Sequence, residues 1–225
     1  MELFHCHTPY SARWLICCVV VLVSGCSPLE RDHSFTFGIL RARELLSTYG
    51  ETSDPLCASY LTTLLQRIVG DEGHDLRVRI LATQEAFALV PGNNEILVSA
   101  GLINALQSEA EAAFLLTHEA GHIVLRHRLS SSDHSTLENP EERRSLELAA
   151  DRFALSKLDR AGYNTAAALT ALSRGYHASS QRDPTRGYPS FSERINQLSK
   201  HVLSTQQYGR GIDDRRDFQR CRRSL

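Results

Sequence analysis

Two histidines four residues apart, with a glutamate beside the first, restrict this chain more than any other stretch: His118-Glu119-Ala120-Gly121-His122. Four residues is about one helical turn, so on a helix both imidazoles share a face and can grip one metal ion. Such a pair is only part of a site. Catalytic zinc takes a third protein ligand from elsewhere and keeps one position open for water. The fold must therefore press a second donor-bearing element against this helix and leave a passage to the metal. Glu119 then lies near the open side, where it can take a proton from a bound water.

The flanking residues predict the helix. Ser108-Glu109-Ala110-Glu111 reads as a capping box, with Ser108 as N-cap and Glu111 at N3. Apolar residues follow at Ala112, Leu115, Leu116, Ile123 and Val124, so the element is expected to run to about Arg128. Acidic residues sit at its positive end, and Arg126, His127 and Arg128 at its negative end, as the dipole favours. Gly121 costs roughly 1 kcal/mol against alanine in a helix interior. That cost makes sense where another backbone or a substrate approaches closely.

After a polar stretch, Asn139 and Pro140 fit the N-cap and first position of a second helix, with Gly162 as its stop. This helix carries Glu147-Leu148-Ala149-Ala150-Asp151. Glu147 is the best candidate for the third zinc ligand. Asp151, one turn further on the same face, is placed to orient a ligand histidine through its second ring nitrogen. In isolation the two acids would read as a solvated face beside Arg143 and Arg144.

Taken together, these segments resemble the HtpX-like and CAAX-prenyl-protease-like zinc metalloendopeptidases, in particular their secreted bacterial branch. Glu85 to Gly92 looks like that family's N-A-F-A-x-P-G-G stretch, and Ile96 to Leu102 like its strand leading into T-G-L. Glu109 to His127 is similar to its zinc helix, Glu147 to Asp151 to its third-ligand motif, and Pro189-Ser190 with Glu193-Arg194-Ile195 to its late H-P-S-x-x-x-R-I. Three positions depart from the pattern: Glu85 stands for Asn, Ala100 for Thr, and Tyr188 for the late histidine. The resemblance implies a gluzincin-type peptidase with one Zn²⁺ per chain, held by His118, His122 and Glu147, with Glu119 as general base. Tyr188 is then the candidate oxyanion donor, with His177 as an alternative substitute for the missing histidine. Arg194 either pairs with Asp151 or contacts substrate. The resemblance also implies that Ile96, Leu97 and Val98 form an edge strand that pairs with an extended polypeptide substrate.

The N-terminus reads separately. Trp14 to Val23 is an apolar run too short to span a bilayer and well sized for a signal peptide. It ends in Val23-Ser24-Gly25-Cys26, which resembles a bacterial lipobox, so residues 1–25 are expected to leave and Cys26 to be lipidated. Ser27 suggests onward export to the outer membrane. The expected localisation is the cell envelope, on the periplasmic face of the outer membrane. Residues 26–35 then form a short tether. Apart from Cys26, the remaining chain has Cys57 and Cys221, which are expected to pair in an oxidising compartment. A formal net charge of −1 gives no reason to expect nucleic acid as a partner.

Helices are expected over Phe37–Tyr49, Pro55–Val69, Thr165–Arg174 and Ser192–Leu203, and strands over Leu76–Ala82, Ala86–Val90 and Glu95–Ser99. The fold class is thus α+β and mainly helical, with a small three-stranded sheet whose edge strand precedes the zinc helix. Residues 36–205 form the peptidase domain, and 206–225 an Arg-rich peripheral tail. The implied function is hydrolysis of internal peptide bonds in misfolded envelope proteins. The alternative is a zinc-containing envelope lipoprotein that acts as a non-proteolytic chaperone or assembly scaffold for outer-membrane proteins.

Overall fold

The computed structural model describes residues 33–127, 140–178 and 189–225. Cys26 and Tyr188 lie outside this set, as does Asn139, the expected N-cap of the second site helix. The chain begins with α1 (His33–Tyr49) and α2 (Pro55–Val69). Asp54 caps α2 by accepting from the Leu56 N–H, with Pro55 next in line, because proline's missing donor costs nothing at a helix start. A 3-10 turn (Gly70–Gly73) leads to strands β1 (Arg77–Leu81), β2 (Ala88–Leu89) and β3 (Glu95–Ser99). A short α3 (Ala100–Ala105), not anticipated from the sequence, is capped by the Ser99 hydroxyl. Then come α4 (Glu109–Val124), α5 (Pro140–Arg160), α6 (Ala167–Ala178), α7 (Phe191–Val202) and α8 (Arg216–Arg223). The architecture is α+β, dominated by helices, with one three-stranded mixed sheet, as the sequence implies.

Strand order corrects one expectation. The sheet runs β1-β3-β2, so Glu95–Ser99 is its central strand and not an edge. It pairs in parallel with β1 and antiparallel with β2. Ile96, Leu97 and Val98 are each fully buried. The reason is in their chemistry: three consecutive apolar side chains need cover on both faces, which suits a central strand better than an edge. Leu97 and Leu81 pack toward Ala42 and Leu45 of α1, while Ile96, Val98, Val78 and Ile80 join the main core with α2 and α4. The exposed edge beside the site is β2.

The last residues are not peripheral either. Phe218 is completely buried and Cys221 nearly so, and the structure joins Cys221 to Cys57 of α2 by a disulfide with a Cα–Cα distance of 4.7 Å. The segment just before α8 also serves α4. The first backbone donors of a helix have no partner within it; here the Ala110 N–H donates to the Asp213 carbonyl and the Glu109 N–H to the Asp214 carboxylate. The charged run Asp213-Asp214-Arg215-Arg216-Asp217 masks that role in the sequence.

Candidate metal centre

Helix α4, which carries His118 and His122, is fixed at both ends. Ser108 accepts from the Glu111 N–H, and the Glu111 carboxylate reaches back to the Gln107 N–H at 2.7 Å. The carboxylate of Glu109 is fully buried, where it accepts from the hydroxyls of Tyr60 and Tyr163 and faces Arg67 and Arg215. Burial, then the hydrogen bond to Glu109, pushes the Tyr163 phenol up to about 12, so it stays protonated and donates. Tyr60 is raised by the same causes. These contacts tie the start of α4 to α2 and to the turn after α5.

The other end stops four residues short of Arg128. Arg126 takes a left-handed conformation (φ 54°), its N–H donates to the Ile123 carbonyl, and the His127 N–H donates to the His122 carbonyl. This is a Schellman closure, with arginine where glycine is usual.

Small residues let α5 come close. A Cβ on Gly121 would lie 3.3 Å from the Ala150 Cα and 3.1 Å from the Phe153 ring. With Ala120 and Ala150 both fully buried at this contact, the helices approach near enough for Glu147 to reach both histidines. The His118 and His122 Nε2 atoms are 3.3 Å apart. Glu147 oxygens lie 3.4 Å from His118 Nε2 and 3.7 Å from His122 Nε2. Ligand atoms at about 2.0–2.2 Å from a tetrahedral zinc are separated by roughly 3.3–3.6 Å. The two nitrogens and the Glu147 carboxylate, whose Oε2 faces His118 and whose Oε1 faces His122, are thus gathered at about the spacing such an ion needs. Two neutral imidazoles and one carboxylate are also the right donor set for it.

A tier of contacts behind these groups fixes their direction. His118 Nδ1 lies 2.9 Å from Asp151 Oδ1, which leaves the Nε2 lone pair facing Glu147 and His122. Arg194 of α7 donates to both Asp151 oxygens, at 2.6 and 2.9 Å, and its Nη1 lies 3.7 Å from Glu147. All these side chains are buried. Burial opposes a charge on His118, but the hydrogen bonds to Asp151 and Glu147 prevail and raise it to about 9. His122 goes the other way, to about 3, through burial and the neighbouring His118 cation. Burial alone would raise Glu147 and Asp151; His118 and Arg194 hold both well below the usual carboxylate range.

A cleft opens onto the site. Half-buried Glu119 lines it with His118 and Arg194, and the apolar wall includes Leu102, Phe114, Leu115 and Leu172. Ala86 and Ala88, the latter in β2, form the strand side. Ile96, Leu97 and Val98 do not border this cleft, and they lie in the central strand, with Leu97 and Val98 paired on both sides, so they offer no edge to a substrate. His177 lies on α6, with its side chain outside the described set. His127 joins the site unannounced by the sequence, where it reads as a dipole-compensating charge.

A family model described as Peptidase family M48 matches residues 73–139, from the 3-10 turn through the sheet and the whole of α4. The match supports that metallopeptidase family for this chain. It ends before α5, so Glu147, Asp151 and Arg194 rest on the geometry. No curated protein matches the chain.

Proposed function

We propose that the chain is a zinc-dependent metalloendopeptidase, a reading the family match supports at the level of metallopeptidase, and that it is anchored in the bacterial envelope through a lipidated Cys26 and acts on misfolded envelope proteins. The observation that carries the catalytic part is the convergence of His118, His122 and Glu147 to 3.3–3.7 Å beside a cleft that Glu119 lines. Zinc, when bound, supplies Lewis acidity, lowering the pKa of water toward about 7 and polarising a carbonyl. The three ligands would hold it. Asp151 keeps the His118 proton on Nδ1, so that Nε2 remains a donor of electrons to the metal. Arg194 neutralises Asp151 and leaves Glu147 to the metal side. Glu119 accepts a proton from the attacking water and passes it to the leaving amine.

An extended polypeptide would lie along the exposed edge of β2, where Ala86 and Ala88 keep the wall low. Backbone pairing there gives affinity without demanding a sequence, which suits unfolded substrates. The lipobox-like Val23-Ser24-Gly25-Cys26 supports the anchor, and the anchor supports an envelope role.

The test is zinc content and cleavage of casein and of unfolded porin by the full-length chain and by Glu119→Gln. The expected result is one zinc in each and loss of nearly all cleavage in the variant. Undiminished cleavage by Glu119→Gln would refute the general-base role. Zinc without cleavage in the unaltered chain would favour the scaffold reading.

A further inference from the structure

We infer that His127 is a positioning residue for the metal site: it accepts a hydrogen bond from His122 Nδ1 and so holds the Nε2 lone pair of His122 toward the metal. The inference rests on the zinc reading above and extends it to a residue outside the ligand set.

The His122 and His127 Nδ1 atoms are 2.9 Å apart, with the rings nearly edge-on at 71° and centroids 5.0 Å apart. Two ring nitrogens at that distance need one proton between them. His122 Nε2 faces His118 Nε2 and Glu147, so as a neutral ligand His122 carries its proton on Nδ1 and donates. His127 then accepts at Nδ1 and keeps its own proton on Nε2. His118 has a carboxylate partner in Asp151; His127 gives His122 the equivalent.

The backbone is shaped for this contact. Five residues along an ideal helix turn through about 500°, which would leave His127 roughly 140° around the axis from His122. The left-handed turn at Arg126 cancels that separation. A non-glycine residue there costs about 1–2 kcal/mol, and the two closing hydrogen bonds, Arg126 to Ile123 and His127 to His122, hold it in place. Strain maintained beside a chemical site is a common signature of positioning.

Two variants of the full-length chain separate acceptor from bulk. His127→Asn keeps an acceptor at the same distance from Cα and loses the ring; His127→Phe keeps the ring and loses the acceptor. Zinc affinity is read by competition with a fluorescent chelator, beside the visible spectrum of the cobalt-loaded chain. His127→Phe should bind zinc about 10–100-fold more weakly, the range found when such outer partners are removed, with a changed cobalt spectrum. His127→Asn should stay within about threefold, and Arg126→Gly should match the unaltered chain. Unchanged affinity in His127→Phe, or equal losses in both His127 variants, would overturn the role of His127 while leaving the site itself standing. Absence of zinc binding in the unaltered chain, or full binding in His118→Ala, would overturn the zinc reading and this inference with it.

Discussion

Arg194 grips Asp151 with two parallel hydrogen bonds, Nε to Oδ2 at 2.9 Å and Nη2 to Oδ1 at 2.6 Å, and so ties α7 to α5, the helix that carries Glu147. The same Oδ1 also faces His118 Nδ1 at 2.9 Å. One carboxylate oxygen thus joins the Arg194 cation of α7 to His118, the first of the candidate metal ligands. The sequence left Arg194 either pairing with Asp151 or contacting substrate; the geometry gives it the first task and puts it on the cleft wall as well.

Removing that guanidinium strands a buried carboxylate. Asp151 is 2 % exposed, and breaking one side of a buried ion pair costs about 3–5 kcal/mol. Arg194→Met should lower the urea-unfolding free energy by that amount. Arg194→Lys should recover less than half, since an ammonium cannot make the two-pronged contact. Adding Asp151→Asn to Arg194→Met should restore part of the loss. Strictly additive effects in this cycle would contradict the pairing.

The metal-free site has its own pH signature. His118 is raised to about 9 from an ordinary value near 6.5, despite burial, by Asp151 and Glu147. Its contribution to stability is complete below about pH 6.5 and disappears as pH rises through about 9. His122, lowered to about 3 by burial and by His118, contributes fully above about pH 6.5 and loses this as pH falls toward 3. The depressed carboxylates of Glu147 and Asp151 steepen the acid side. Chelator-treated protein should therefore be most stable near pH 6.5. Zinc-saturated protein should lack the alkaline decline, because the metal replaces the His118 proton. Urea midpoints between about pH 4 and about pH 9.5, with and without zinc, check this; equal alkaline limbs would count against it.

The close contact of α4 and α5 gives a steric test. Gly121→Val places branched carbons where a Cβ alone would already meet Ala150 Cα at 3.3 Å. Overpacking costs about 1–3 kcal/mol, but the sharper effect is on the metal. Pushing α5 away withdraws Glu147, so zinc affinity should fall at least about tenfold, in the range seen for disturbed metal sites. Isothermal titration with zinc measures it. Affinity equal to the unaltered chain would show that the helices need not meet so closely.

The Cys57–Cys221 bridge spans a sequence separation of 164. Replacing both cysteines by serine should cost about 2–5 kcal/mol, measured as a fall in the thermal midpoint. Because α8 follows the segment that caps α4, the same variant should expose the α4 N-terminal amides to faster hydrogen exchange. Protection of Glu109 and Ala110 equal to the unaltered chain would separate the bridge from the cap.

What the sequence determined by itself was local and periodic. The i, i+4 spacing put His118 and His122 on one face; Ser108 and Asp54 each cap a helix through a side chain three or fewer residues from its partner. Gly162, at φ 79°, ends α5 because few other residues adopt that conformation cheaply. Glu147 and Asp151 were legible for the same reason, as two acids one turn apart on a helix that had to supply a donor.

What only the tertiary structure decided depends on chain segments that meet after reversing direction. Strand order made Glu95–Ser99 central and gave the exposed edge to β2, since pairing partners are set by the whole sheet and not by one strand's composition. The turn at Arg126 brought His127 onto His122 against helical spacing. Phe218 and Asp213–Asp214 became core and cap because the disulfide-bearing end folds back on α2 and α4. The histidine pair is local, so the sequence alone reveals it; the contacts that aim it are long-range, and only the folded chain reveals those.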